Sequence, residues 1–139
     1  MKTAKKISLV GVKDRGVPDK ERIALRARLP VTLSSFVVIP TGYNSADEAV
    51  FDINYYAFWF PTVDVDAGDT VLIYTNQGEN TSFRNGNGHQ TYVFHWGFPA
   101  PILDDAAIGG IAVLELSGWI FKPLSTSPSA VEEESVPVI

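Results

Sequence analysis

The chain has two histidines, His89 and His95, the side-chain type suited to proton transfer and metal ligation. A general base or a metal site needs such a histidine held against a partner, and Asp104 and Asp105 are the acids considered for that role. No His-X-X-X-His and no paired-carboxylate spacing accompanies them. The plainer expectation is preferred: a loop histidine at 89, and at 95 a strand histidine hydrogen-bonded to a neighbour. Asp64, Asp66 and Asp69 make an Asp-X-Asp-X-X-Asp cluster of the oxygen-rich kind that can hold calcium, but without the glycine and glutamate pattern of an EF-hand. They are weak metal candidates beside an expectation of no metal. Gly86-Asn87-Gly88 lacks the lysine and helix of a phosphate loop, and no Gly-X-Ser-X-Gly elbow occurs. The residues predict a non-enzyme without a cofactor.

Binding chemistry has better candidates. Arg22, Arg26 and Arg28 fall at two-residue spacing, so a strand would point their guanidinium groups the same way, towards carboxylates or phosphates. A solvated sheet face, or pairing with acids of the same chain, is the favoured alternative. Trp59 and Trp96 sit in the aromatic sets 55–60 and 92–98, which are core unless some rings are exposed for docking or for stacking on a sugar.

The elements that must position these residues are strands. Residues 63–78, VDVDAGDTVLIYTNQG, turn at Ala67-Gly68 and run into Thr70-Val71-Leu72-Ile73-Tyr74-Thr75. That run is β-branched and aromatic enough for a central strand. Residues 20–29 alternate, with Ile23, Leu25, Ala27 and Leu29 on one face and Arg22, Ala24, Arg26 and Arg28 on the other. Further strands are expected over 5–12, over 33–39 closed by Pro40-Thr41-Gly42, over 50–60, over 91–97 and over 111–121 with a bend at Ser117-Gly118. In 50–60, Tyr56, Phe58 and Phe60 share a face opposite Tyr55, Ala57 and Trp59. Residues 79–89 read as a polar loop. The pattern predicts an all-β sandwich of about seven to nine strands, with a domain over 1–122 and an acidic, Ser/Pro-rich flexible tail over 123–139.

A chain of 139 residues is large enough for one core. The absence of cysteine excludes disulfides and thiolate metal sites. No long apolar run predicts membrane insertion, and the N-terminal stretch is too short in apolar residues for a signal peptide, so a cytoplasmic protein is expected. The net charge of −5 conceals an asymmetry. Nine of the eleven basic residues lie at or before Arg28 against three acids, and two bases face thirteen acids from Leu29 onward. Nucleic acid is therefore a possible partner through the basic strand but not the favoured one.

The order of phrases resembles the lamin tail domain, an immunoglobulin-like β-sandwich. Glu21-Arg22-Ile23-Ala24-Leu25 is similar to that family's early Glu-hydrophobic phrase. Val31-Thr32-Leu33-Ser34-Ser35-Phe36 is similar to its hydrophobic-Asp-Leu-Ser/Thr-Gly-Trp phrase, with Thr32 in place of the Asp and Ser35-Phe36 in place of Gly-Trp. Phe58-Trp59-Phe60-Pro61, then Asp66-Ala67-Gly68-Asp69-Thr70-Val71, then 92–97 with 111–116, continue the likeness across residues 5–122. The resemblance implies an immunoglobulin-like two-sheet sandwich and a non-enzymatic interaction or structural module, binding a protein partner or self-associating as a homo-oligomer. The alternatives are a polyanion-binding basic strand face and a carbohydrate- or calcium-binding sandwich.

Overall fold

The computed structural model describes residues 6–43, 46, 49–50 and 56–124. The tail expected over 123–139 falls, beyond Leu124, outside the described residues. The fold is all-β. Eleven strands are described: β1 (Ile7–Lys13), β2 (Arg22–Ala27), β3 (Val31–Thr32), β4 (Phe36–Tyr43), β5 (Ala49–Val50), β6 (Phe58–Trp59), β7 (Asp64–Val65), β8 (Thr70–Asn76), β9 (Thr81–Arg84), β10 (Gln90–Phe98) and β11 (Gly110–Glu115). The number exceeds the expected seven to nine because several are two-residue pieces.

Five strands form one sheet in the order β1-β2-β8-β10-β9, and β11-β4-β5 with β6 paired to β4 form a second. β3 and β7 make a small ribbon. The inward positions of β2 and β8 face each other across an antiparallel register, Ile23 to Ile73 and Leu25 to Val71. Phe94 of β10 follows beside Ile73 in parallel register. These side chains meet Phe36 and Val38 of β4, together with Phe60, Leu103 and Ile108, in one core shared by both sheets. That is the two-layer packing of a sandwich.

Several sequence expectations need correction. β2 ends at Ala27, where the chain departs to bond back to Lys6 and Asp69, so Leu29 is not a core residue but 51% exposed. The 33–39 strand is delayed by a 3-10 turn over Leu33–Ser35 and then runs on through Pro40 to Tyr43. Ser35 and Thr41 both accept on the β11 side, from the Leu116 and Gly109 amides, so Pro40 turns its nitrogen the other way. Among the described residues β6 pairs there at Val37 and Val38, and β5 at Gly42 and Tyr43, so the proline interrupts neither of these pairings. Of the strand expected over 50–60, residues 51–55 lie outside the described ones. Its end holds the expected alternation, with Phe58 and Phe60 turned to the core and Trp59 outward.

The loop expected over 79–89 contains an edge strand. β9 pairs with β10 in a hairpin whose turn is held by Asn85, which accepts from the Asn87 and His89 amides. β10 then returns between β9 and β8, parallel to β8. β11 stops at Glu115, and 116–124 continues without strand pairing, where a strand to 121 was expected.

Candidate functional site

The arginine stripe is divided by its surroundings. Arg22 lies opposite Tyr74 of β8 and carries its guanidinium 5.5 Å from that ring. Its Nη1 meets the Asp14 carboxylate at 2.7 Å and donates to the Lys20 carbonyl at 2.8 Å. Arg26 and Arg28 are exposed and, among the described residues, take part in no ion pair. Tyr74 stacks in turn on His95, with ring centroids 5.5 Å apart and an interplanar angle of 23°. A row of Arg22, Tyr74 and His95 thus crosses β2, β8 and β10 on the outer side of the five-stranded sheet.

Among the described residues no ion pair involves His95. Its Nδ1 lies 2.8 Å from Asn76 Oδ1, and its ring covers Gly78, where a Cβ would come within 2.5 Å of it. His89 covers Gly68 in the same way, with its Nδ1 3.7 Å from Asp69 Oδ1. Gly68 also has a φ of +92°, a backbone that side-chain-bearing residues rarely adopt. Asp104 lies instead against Gly16, and Asp105 accepts from the Ala107 amide within its own turn. The structure therefore pairs His89 with Asp69, and brings neither histidine into the arrangement considered with Asp104 and Asp105.

Two acids of the cluster, Asp64 and Asp69, are engaged in hydrogen bonds. Asp64 accepts from the Thr32 hydroxyl at 2.6 Å. Asp69 is buried and accepts from the Asp66 amide at 2.9 Å and the Gln90 amide at 3.0 Å. Among the described residues no three metal-binding side chains converge. Close by, the Tyr92 hydroxyl has its pKa raised above the ordinary tyrosine value, first by burial and then by Asp69 and Asp66, with Arg84 opposing.

The two tryptophans are separated. Trp96 belongs to the ring cluster between the sheets, 5.5 Å from Phe58 and 5.6 Å from Phe98. Trp59 is 47% exposed on the outer side of the second sheet, and its Nε1 donates to the Ser34 carbonyl at 2.7 Å. Trp119 packs edge-on against it at 5.3 Å and 85°. From there the chain exposes Ile120 (99%), Phe121 (76%) and Leu124 (82%). Trp59 and Trp119 thus meet at the start of an exposed apolar segment, 119–124, which the expected strand over 111–121 concealed.

Sequence reasoning also missed Glu21 as anything beyond a phrase of the resemblance. It is 2% exposed, and its carboxylate accepts from the Gly16 amide (2.8 Å), the Thr75 hydroxyl (2.7 Å), the Ile102 amide (3.0 Å) and the Leu103 amide (3.1 Å). The available signal was its parity, since Glu21 shares the inward register of Ile23, Leu25 and Ala27. Arg15 reinforces the same joint, donating from Nε to the Leu103 carbonyl and from Nη2 to the Ile108 carbonyl at 2.7 Å.

Among the described residues no helix is long and apolar enough to cross a membrane. Neither the family models, nor the curated proteins, nor the solved structures contain a match to this chain.

Proposed function

We propose that this chain is a non-enzymatic interaction module, a β-sandwich that binds a protein partner or a further copy of itself through its surface. The observation that carries the reading is the exposed Trp59–Trp119 pair together with the exposed Ile120, Phe121 and Leu124 that follow it in the chain. Large apolar side chains left exposed together are a mark of interaction sites in folded proteins. The resemblance to the lamin tail domain points the same way, because those domains serve as contact modules. The polyanion reading keeps only Arg26 and Arg28 as uncommitted cations of its stripe, and the carbohydrate reading needs Trp59 and Trp96 on one platform, whereas they occupy different layers.

The test is affinity capture from the cells that make the protein. It compares wild type, an Ile120→Asp/Phe121→Asp variant and an Arg26→Ala/Arg28→Ala variant at low and high salt. The proposal expects the partner to be lost from the aspartate variant and kept by the alanine variant at both salts. Loss from the alanine variant alone, with steep salt dependence, would transfer the function to the basic strand.

A further inference from the structure

The chain has sixteen acidic residues, and none of them lies on a strand of the five-stranded sheet. Strand register shows what the outer side of that sheet carries instead. Ile23 and Leu25 belong to the core, so Arg22, Ala24 and Arg26 of β2 point away from it. Residues directly opposite each other in neighbouring strands share a face, and three rows cross the sheet. Arg26 lies opposite Ser8 and Thr70, Thr70 opposite Thr91, and Thr91 opposite Phe83 at the sheet edge. Arg22 lies opposite Lys13 and Tyr74, and Tyr74 opposite His95. Between these two rows Ala24, Leu72 and Val93 make a floor of short apolar side chains.

We infer that this face binds a single-stranded nucleic acid, with phosphates on the cations and bases on the rings and the floor. The site is separate from the one that carries the interaction-module reading, since Trp59 lies on the second sheet.

Charge gives the first half of the argument. Lys13, Arg26 and, just past the end of β2, Arg28 are exposed, and among the described residues none of them is in an ion pair. Asp14 and Asp19, at the strand ends, are committed to Arg22 and to the Asn76 amide group. The net charge of −5 therefore comes from residues off these strands, and their field is screened over about 8 Å at physiological salt.

The rings give the second half and choose among anions. An acidic peptide needs only the cations. Phe83 is 54% exposed on an edge strand whose other residues are polar, and Tyr74 and His95 lie side by side with the Arg22 guanidinium against Tyr74. Aromatic rings and guanidinium planes are the groups on which unpaired bases stack, whereas a duplex keeps its bases out of their reach. Arg26 and Phe83 stand three strand spacings apart, roughly 14 Å, and the two rows are four residues apart along β2, roughly 13 Å. A sheet face of that extent takes about two or three bases.

The experiment is fluorescence anisotropy of a labelled oligothymidylate of about 12 nucleotides, titrated with the full chain over a range of salt. For wild type, log K should fall against log salt with a slope of about −2, from three cations at about 0.7 each. Arg26→Ala should flatten that slope by about 0.7. Phe83→Ala should weaken binding about 5- to 150-fold, the loss of one stacked base. Phe83→Tyr puts a ring back and should restore wild-type affinity, which a disturbed edge strand would not allow. Ile120→Asp/Phe121→Asp should bind the oligonucleotide as wild type does, so that failure of the interaction-module reading and failure of this inference remain distinguishable. Wild type that does not bind the oligonucleotide at low salt overturns the inference. So does a Phe83→Ala variant that binds as wild type does, or a duplex bound as tightly as the single strand. Polyglutamate bound as tightly as the oligonucleotide would overturn it in favour of an acidic peptide.

Discussion

Glu21 shows what a single residue does here. A carboxylate removed from water loses its hydration, and this one regains four donors: three backbone amides and the Thr75 hydroxyl. Glu21→Gln keeps the shape but turns an amide group, itself a donor, towards two of those donors. We expect it to lower stability by roughly 3 kcal/mol, from lost charge-assisted bonds and unsatisfied buried amides. This is read as a lower urea midpoint at constant slope, and an unchanged midpoint would show that the carboxylate is dispensable. Tyr92 gives a prediction at alkaline pH. Its pKa is raised in the folded state, so the neutral phenol is the form the fold favours. The resulting stability is fully present below the unfolded value near 10 and is lost as pH rises through the higher folded value. The urea midpoint of wild type should therefore fall above about pH 10 more steeply than that of Tyr92→Phe. Equal slopes would remove Tyr92 from the account.

At the scale of elements, the antiparallel pair of β2 and β8 is closed at both ends by a buried carboxylate. Glu21, just before β2, takes the hydroxyl of Thr75 near the end of β8. Asp69, just before β8, accepts from the amide of Gln90 that opens β10, while its own carbonyl accepts from the Ala27 amide that ends β2. Both acids hold inward register positions, which no alternation of apolar and polar residues would assign to a charge. Glu21 and Arg15 together fasten the 99–109 segment to the 14–21 turn, so that turn and segment behave as one unit. Arg15→Ala should raise amide hydrogen exchange locally, over 102–108, while strands β2 and β8 keep their protection. Uniformly faster exchange would instead make Arg15 part of global stability. The hairpin of β9 and β10 shows why the 79–89 loop was misread. The β9 residues Thr81–Arg84 are all exposed, so no apolar alternation marks them, and what makes them a strand is the long partner β10.

For the whole molecule, the charge asymmetry of the sequence becomes a free cationic face only in part: among the described residues Arg26 and Arg28 stay exposed outside any ion pair, while Arg22 and Lys6 are engaged. Arg22 is drawn into a pair with Asp14 and onto Tyr74, and Lys6 meets Glu115 at 2.9 Å, joining β1 to β11 across the two sheets. The molecule also presents an exposed apolar arm, 119–124, and an apolar groove lined by Leu9, Val12, Leu103 and Ile111. The capture comparison tests whether that arm is a contact surface.

The sequence by itself determined the all-β class, the inward face of β2 through Ala27 and the central place of 70–75, because two-residue periodicity and β-branched composition are local records of burial. It also held the turn at Ala67-Gly68 and the opposed facing of Phe58 and Trp59. Only the tertiary structure decided that Leu29 escapes the core, that Pro40 lies within a strand, and that β10 runs parallel to β8 with β9 outside it. The same is true of Glu21 as the joint of three segments, of His89 beside Asp69 rather than Asp104 or Asp105, and of Trp59 meeting Trp119 rather than Trp96. Each of these depends on which distant backbone comes to lie alongside, and a chain's own periodicity carries no information about its neighbour.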